Sequence, residues 1–193
     1  MVRLMKKCGA LLALPVTIRS CSEDDCQSLQ SIEAACFDTE EHAIVDRIED
    51  SRKTAGKGRR GPFFVATFVD VAIVAMDGEE LVAGYCAWTC EPFGTSDTCI
   101  HVMNLAVAEK FRRSGVASAL LKHVEETALE KFPCAALARL LVRSDNIVAQ
   151  QMYASFGFSE IERIPEYYGS LDALELRKAL DLPKRGKLRK RKG

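Results

Sequence analysis

The sequence predicts an α/β (α+β) domain, in which a mixed, mostly antiparallel central sheet of about seven strands is flanked by about four helices. Apolar residues recur every four positions across 116–128, the pattern of a long amphipathic helix. Two β-branched and aromatic runs, 63–76 and 81–90, meet at Asp77-Gly78, a strong hairpin signal. Taken in turn, the segments give the order β-α-α-β-β-β-α-β-α-β-β.

The first elements are short. Residues 16–19 are predicted to form a strand, and Ser22 with Asp25 three positions later resembles a helix N-cap signal. The helix that follows has apolar residues at helical spacing as far as Cys36. Thr39 is predicted to cap a second helix that ends near Ile48.

The middle of the chain is predicted to be mainly β-structure. Residues 51–61 hold three glycines and five basic residues, which indicates a loop before the hairpin. Residues 91–97 are expected to form a turn, and 98–107 another strand.

The C-terminal half is predicted to alternate between helix and strand. Pro133 ends the long helix, which is followed by a strand at 136–142 and a helix at 145–156. Gly157 is the expected C-cap. The last two strands are predicted at 158–163 and 172–180.

Length and charge divide the chain into one domain and two ends. A chain of 193 residues suggests a single domain, expected at 15–182, after an N-terminal extension at 1–14. The tail, 183–193, holds seven Lys and Arg residues and is expected to be disordered. Without the tail, 20 basic residues stand against 27 acidic ones, which argues against a dedicated DNA-binding domain.

Composition favours a cytoplasmic protein. Eight cysteines without a CxxC pair are expected to be reduced thiols, and no metal site is predicted. The apolar stretch at 9–14 is too short to span a membrane, and a mitochondrial presequence there stays open. A nuclear signal in the basic tail stays open as well.

The segment Arg112-Arg113-Ser114-Gly115-Val116-Ala117 is the main candidate for a binding motif, because it lies between a predicted strand and a predicted helix. A helix N-terminus leaves its first N–H groups unpaired and carries a partial positive charge, so it can bind a diphosphate. A glycine at 115 lets the backbone approach the anion closely.

This segment resembles motif A of the GNAT superfamily of N-acetyltransferases, Q/R-x-x-G-x-G/A. Residues 141–146, followed by Ala149, Tyr153 and Phe156-Gly157-Phe158, resemble a second GNAT signature. Pro165-Glu166-Tyr167-Tyr168, with Asp172-Ala173-Leu174, is similar to a segment of the protein N-terminal acetyltransferases. The resemblance covers residues 16–180 and implies the GNAT fold with acetyl-CoA as the cofactor.

The resemblance implies a role for each element of the cofactor site. The backbone of Leu105, Ala106 and Val107 would pair with the pantetheine arm. Asn146 would bond the cofactor, and Tyr153 would both contact it and protonate the departing thiolate. The pyrophosphate would be held by the loop and the start of the helix, namely Arg112, Arg113, Ser114, Gly115, Val116, Ala117 and Ser118.

The acceptor implied by the resemblance is the α-amino group of a peptide or protein N-terminus, acetylated directly in a ternary complex. Relatives often have a Glu or His base where this chain has Leu141, which cannot accept a proton. His101, acting directly or through water, is the proposed substitute, although a packing role is equally compatible with the sequence. Phe37, Met103, Tyr167 and Tyr168 are the candidate substrate-binding residues.

Other interpretations stay open. The acidic stretch after Phe37, residues 38–41, can select a basic substrate or simply begin the second helix. The acceptor can be a lysine side chain, a polyamine or another small amine, or the chain can be a non-catalytic module that binds acyl-CoA. The basic tail can contact the ribosome or its RNA, and an auxiliary subunit is possible; no membrane association is expected.

Overall fold

Seven strands form a single sheet in this computed structural model, which describes residues 15–37, 67–76, 78–94 and 97–181. The strands are β1 Val16–Ser20, β2 Thr67–Met76, β3 Glu79–Phe93, β4 Asp97–Val107, β5 Ala135–Arg143, β6 Ser159–Tyr168 and β7 Leu171–Ala179. The described helices are α1 Cys26–Cys36, α2 Val116–Lys131 and α3 Ile147–Ser155.

The sheet has the order β1-β2-β3-β4-β5-β7-β6. Only β4 and β5 run parallel; the other neighbouring pairs are antiparallel. This arrangement confirms the predicted mixed, mostly antiparallel sheet of seven strands.

The larger core lies beneath α2, on one face of the sheet. Apolar residues of α2 pack there against Trp88 of β3, Ile100 of β4 and Leu140 of β5. The predicted four-residue stripe is confirmed, because Val116, Leu120, Val124 and Ala128 are all buried. A smaller core on the opposite face packs Leu29 and Ile32 of α1 against the sheet.

Several element ends differ from the sequence predictions, and three of the differences have a clear cause. The turn expected at 91–97 is shorter, because β3 continues to Phe93 and pairs there with the start of β4. The predicted strand at 158–163 extends to Tyr168, because it remains paired with β7 beyond Arg163. The predicted helix at 145–156 begins at Ile147, because Asn146 is its N-cap.

Several predictions fall outside the described residues. These are the helix from Thr39 to Ile48, the loop at 51–61, the N-terminal extension and the basic tail. Within the described ranges, no helix is long and apolar enough to cross a membrane. The same ranges hold no group of three or more His, Cys, Asp or Glu side chains placed to bind a metal.

The start of α1 is fixed by Asp25. Its carboxylate accepts two hydrogen bonds from the Arg19 guanidinium, at 2.6 and 2.9 Å, which ties the helix to β1. The Ser22 backbone N–H and hydroxyl also donate to it, at 2.7 and 2.8 Å. Because Arg19 and Ser22 donate to the ionised form, the pKa of Asp25 falls to about 2 despite its burial.

We expect Asp25→Asn to destabilise the protein by about 1 to 2 kcal/mol at pH 7, after allowing for solvent screening at the half-exposed Arg19. The folded pKa lies below the unfolded value of 3.8, so the contribution is present above pH 3.8 and is lost as the pH falls towards 2. Urea unfolding of both proteins between pH 7 and pH 2 measures this. A difference that stayed constant down to pH 2 would contradict the assignment.

Candidate functional site

Strands β4 and β5 separate to form a cleft. They pair from Thr98 to Val102, opposite Ala135 to Leu140, and not beyond. From there β4 stays with β3 as far as Val107, while β5 stays with β7 as far as Arg143. Beyond Val102, the edge of β4 that is no longer paired with β5 therefore faces the cleft.

A glycine lets β3 and the end of β4 lie close together. A Cβ on Gly84 would lie only 2.5 Å from the carbonyl oxygen of Ala106. Any larger residue at this position would push β4 away from β3. The position of the exposed β4 edge therefore depends on Gly84.

The cleft has a volume of about 860 Å³ and passes from one face of the sheet to the other. Its lining comes from the end of α1, from β4 and β5, from the start of α3 and from the β6–β7 turn. The lining residues are Cys36, Phe37, Val102, Met103, Asn104, Leu105, Leu141, Val142, Arg143, Asp145, Asn146, Ala149, Tyr153, Tyr168, Gly169 and Leu171.

The loop after β4 ends at a helix N-terminus that suits an anion. Gly115 is the N-cap of α2 and has a φ of 89°, and its missing Cβ would point into open space. The amide of Ala119 bonds the carbonyl oxygen of Gly115 at 2.9 Å. Among the described residues, the amides of 116–118 have no backbone carbonyl to donate to. They can therefore donate to an anion, and this helix N-terminus fits the diphosphate of coenzyme A.

Side chains of this loop hold its shape. Arg112 donates through Nε to the carbonyl oxygen of Val107 at 3.2 Å and lies 3.4 Å from the Cys36 sulfur. The Ser114 hydroxyl bonds the carbonyl oxygen of Phe111. Arg113 is exposed and has a φ of 64°, a left-handed conformation that is uncommon for a non-glycine residue. Arg112 thus has contacts that hold the loop in shape, and Arg113 takes part in none of those contacts.

Tyr153 projects from α3 to the wall of the cleft. Its residue is 8% exposed, and its ring packs edge-on against Phe158 with centroids 5.9 Å apart. Burial raises the pKa of Tyr153 far above its ordinary value, so the phenol keeps its proton throughout the neutral range. Such a group can donate a proton to a leaving sulfur but cannot act as a base.

Asn146 has a structural task at the other end of α3. Its side-chain oxygen accepts the N–H of Ala149 at 3.1 Å, which caps the helix. The residue also lines the cleft, so the NH₂ group stays available to a ligand there. The expected bond from Asn146 to the cofactor stays a prediction.

Three of the four predicted substrate-binding residues meet in the cleft. Phe37, Met103 and Tyr168 all line it, whereas Tyr167 is 52% exposed and packs edge-on against Tyr168. The end of β6, which carries the two tyrosines, is held by Asp172. Its carboxylate accepts the N–H of Glu166 and a guanidinium hydrogen of Arg163, each at 3.1 Å.

His101 lies next to the cleft but outside its lining. It precedes Met103 by two residues on β4, which is about 7 Å along a strand. Its Nδ1 is 3.4 Å from a Glu91 oxygen that also accepts from Arg139. Burial, and then the charge of Arg139, lower the pKa of His101 below 6.5, so the imidazole is neutral at pH 7.

The structure also brings together residues that the sequence did not single out for a role. Glu91, Arg139, Glu175 and Arg177 form a polar cluster beside His101, and Glu175 is paired with Leu141 across β5 and β7. Asn104 is buried in the lining of the cleft. These contacts join strands far apart in the chain, so no spacing in the sequence reveals them.

The family model described as "Acetyltransferase (GNAT) family" matches residues 26–158 of this chain. "N-alpha-acetyltransferase 20" of Dictyostelium discoideum is 42% identical over 81 residues. That stretch is 42% of this chain and 46% of the relative, so the match spans less than half of the relative's length.

Solved structures share the fold. Ard1 from Thermoplasma volcanium is 26% identical, with a TM-score of 0.65 over 86% of this chain and 98% of the other. A chain from the "NatC complex bound to Gag peptide and CoA" has a TM-score of 0.69 at 17% identity, over 86% and 99% of the two chains. At 17% identity, the similarity to the NatC chain shows a shared fold and nothing more.

Proposed function

This chain belongs to the acetyltransferase (GNAT) family, which uses acetyl-CoA as the acetyl donor, and we propose that it acetylates the α-amino group of protein N-termini. The transfer would be direct, with donor and acceptor bound together in the cleft between β4 and β5. What carries the proposal is the described lining of this cleft, which holds no His, Glu or Lys side chain that could act as a strong base.

The donor would lie along β4. The amides of 116–118 and Gly115 would hold its diphosphate, and the backbone of 105–107 would bond its pantetheine arm. Bound acetyl-CoA supplies a reactive thioester. A backbone N–H of β4 would donate to the carbonyl oxygen as negative charge develops there.

The acceptor argument rests on the cost of making the amine neutral. An α-amino group has a pKa of about 7.7 to 8.0 and a lysine about 10.4, so deprotonation at pH 7 costs about 1 kcal/mol for the first and over 4 kcal/mol for the second. Among the described lining residues Asp145 is the one carboxylate, and its hydrogen bond from Arg143 lowers its pKa, which makes it a poor base. A cleft with so weak a base suits an α-amine.

We expect His101 to help through water, since the imidazole is neutral at pH 7 but lies outside the cleft lining. His101→Gln should lower kcat/KM for a peptide roughly tenfold near pH 7. Because only neutral imidazole can accept a proton, wild-type activity should fall more steeply than protonation of the amine alone requires once the pH drops below the lowered pKa of His101, and the variant should lack that additional fall. A variant with normal kcat and an unchanged pH profile would leave His101 with a packing role.

The proposal is tested with three sets of acceptors at pH 7.5. These are peptides with free N-termini, the same peptides with blocked N-termini and an internal lysine, and polyamines. We expect acetylation of the first set only, with mass spectrometry placing the acetyl group on the first residue. Preferred turnover of blocked lysine peptides or of polyamines would show that these amines, and not protein N-termini, are the acceptors. Tight acetyl-CoA binding without turnover of any amine would indicate a binding module.

The setting we propose is cytoplasmic and co-translational. The seven basic residues of 183–193 would contact ribosomal RNA through its phosphates. An auxiliary subunit also fits the proposal, because the similar NatC chain is part of a complex. Ribosome co-sedimentation of the full chain and of a chain ending at residue 182, at low and high salt, separates the tail's contribution.

A further inference from the structure

Asn104 lies on an irregular part of β4. Against β3, Val102 pairs with Trp88 and Asn104 pairs with Ala87, so Met103 is an extra residue that forms a β-bulge. Val102 packs in the larger core, while Met103 and Ala106 pack in the smaller core on the α1 face. Since side chains alternate along a strand, Asn104 shares the α1 face with Ala106, and the bulge puts Met103 there too.

The Asn104 side chain is buried but has no protein partner among the described residues. The residue is 7% exposed and lines the cleft. Its amide takes part in none of the hydrogen bonds within the described ranges. In the same ranges, every side-chain N or O atom that is fully enclosed has a hydrogen-bond partner. The amide therefore reaches the outside through the cleft. An amide in such a position costs stability unless it is hydrogen-bonded, and a ligand group can supply the bond.

The surroundings of Asn104 indicate which ligand group this is. The same lining holds Met103 and Leu141, whose side chains offer no hydrogen-bonding group stronger than the weakly accepting Met103 sulfur. Asn104 is thus a strong hydrogen-bonding group in a lining that also holds apolar side chains. In binding sites, a few polar groups of this kind fix the orientation of the ligand.

We propose that the Asn104 amide binds the backbone of the acceptor's first residue, an inference that rests on the proposed N-terminal acetylation. Its NH₂ group donates to the first carbonyl oxygen, and its oxygen accepts a hydrogen from the α-amine. A lysine side chain or a polyamine has methylene groups where the peptide has this carbonyl. Asn104 therefore contributes to the choice of α-amines over other amines.

The test compares two enzymes with two ligands. Asn104→Leu keeps the side-chain size and removes hydrogen bonding. One ligand is a substrate peptide, and the other is its analogue with the first peptide group replaced by a carbon–carbon double bond. Calorimetry of both ligands with the CoA-loaded enzymes gives four affinities. For each ligand the comparison is between enzymes, which cancels the altered basicity of the amine.

We expect Asn104→Leu to bind the peptide roughly tenfold or more weakly than the wild type does, and to lose clearly less affinity for the analogue, which has no carbonyl oxygen for Asn104 to bind. Acetyl-CoA affinity should stay within about twofold. The inference is overturned if the variant discriminates like the wild type, or if it loses both ligands equally. Asn104→Ala carries the same comparison should the leucine variant not fold. A wild type that acetylates lysine peptides and not N-termini would instead overturn the proposed function.

Discussion

Tyr153→Phe is expected to lower kcat by roughly 100- to 1,000-fold while leaving the fold intact. General acid catalysis typically contributes 10²- to 10⁴-fold, and this variant removes only the hydroxyl that would protonate the leaving sulfur. The ring keeps its edge-on contact with Phe158, and the hydroxyl makes no hydrogen bond within the described residues. Steady-state kinetics with a peptide acceptor measure the change, and thermal unfolding checks the fold.

Acetyl-CoA affinity distinguishes this role from a binding role. We expect the Tyr153→Phe variant to bind acetyl-CoA within about threefold of the wild type, because the loss concerns proton transfer. Since burial raises the pKa of Tyr153, its ionisation should not shape the wild-type profile between pH 6 and 9. A phenylalanine variant with nearly normal kcat would assign the protonation step to another group or to water.

Gly115→Asp should weaken acetyl-CoA binding roughly 100-fold. The new carboxylate would point into the open space beside the N-terminus of α2, where the diphosphate is expected. Two unit charges about 4 Å apart near a protein surface repel by about 4 kcal/mol, so even partial screening leaves a large effect. Calorimetric titration with acetyl-CoA at low and high salt measures the loss, which should shrink as salt increases.

Gly115→Asn is the matched control. Asn and Asp have the same shape, and both tolerate the left-handed conformation that a φ of 89° requires. The Asn variant reports the effect of the added side chain without charge, and we expect it to weaken binding less than tenfold. Equal losses in the two variants would show that shape, and not charge, makes Gly115 necessary.

Local patterns in the sequence predicted most of the fold. The stripe of α2 and the hairpin of β2 and β3 depend on residues close together in the chain. Both are confirmed, because the stripe is buried and Met76 pairs with Glu79. The sequence does not predict the extension of β6 to Tyr168, because a proline such as Pro165 is unfavourable within a strand. Pairing with β7, and the bonds from Asp172 to this segment, hold it in the sheet.

The donor end of the site was more predictable than the acceptor end. The loop around Gly115 is one contiguous segment, so its motif and position predicted a diphosphate site that the geometry fits. The acceptor end joins β4, β5 and the β6–β7 turn, whose alignment depends on strand register. No sequence pattern places His101 beside Arg139, or buries the Asn104 amide at a bulge.

The separation of β4 and β5 has a consequence for the stability of the molecule. Within the described residues, these strands join the two parts of the sheet through five paired positions, from Thr98 to Val102. A ligand that bonds to β4 and touches α3 spans the same gap, so it adds contacts between the two parts of the sheet. Because such a ligand binds only the folded chain, its concentration sets part of the folding stability by mass action. The supply of acetyl donor thereby helps to set the fraction of the protein that is folded at equilibrium.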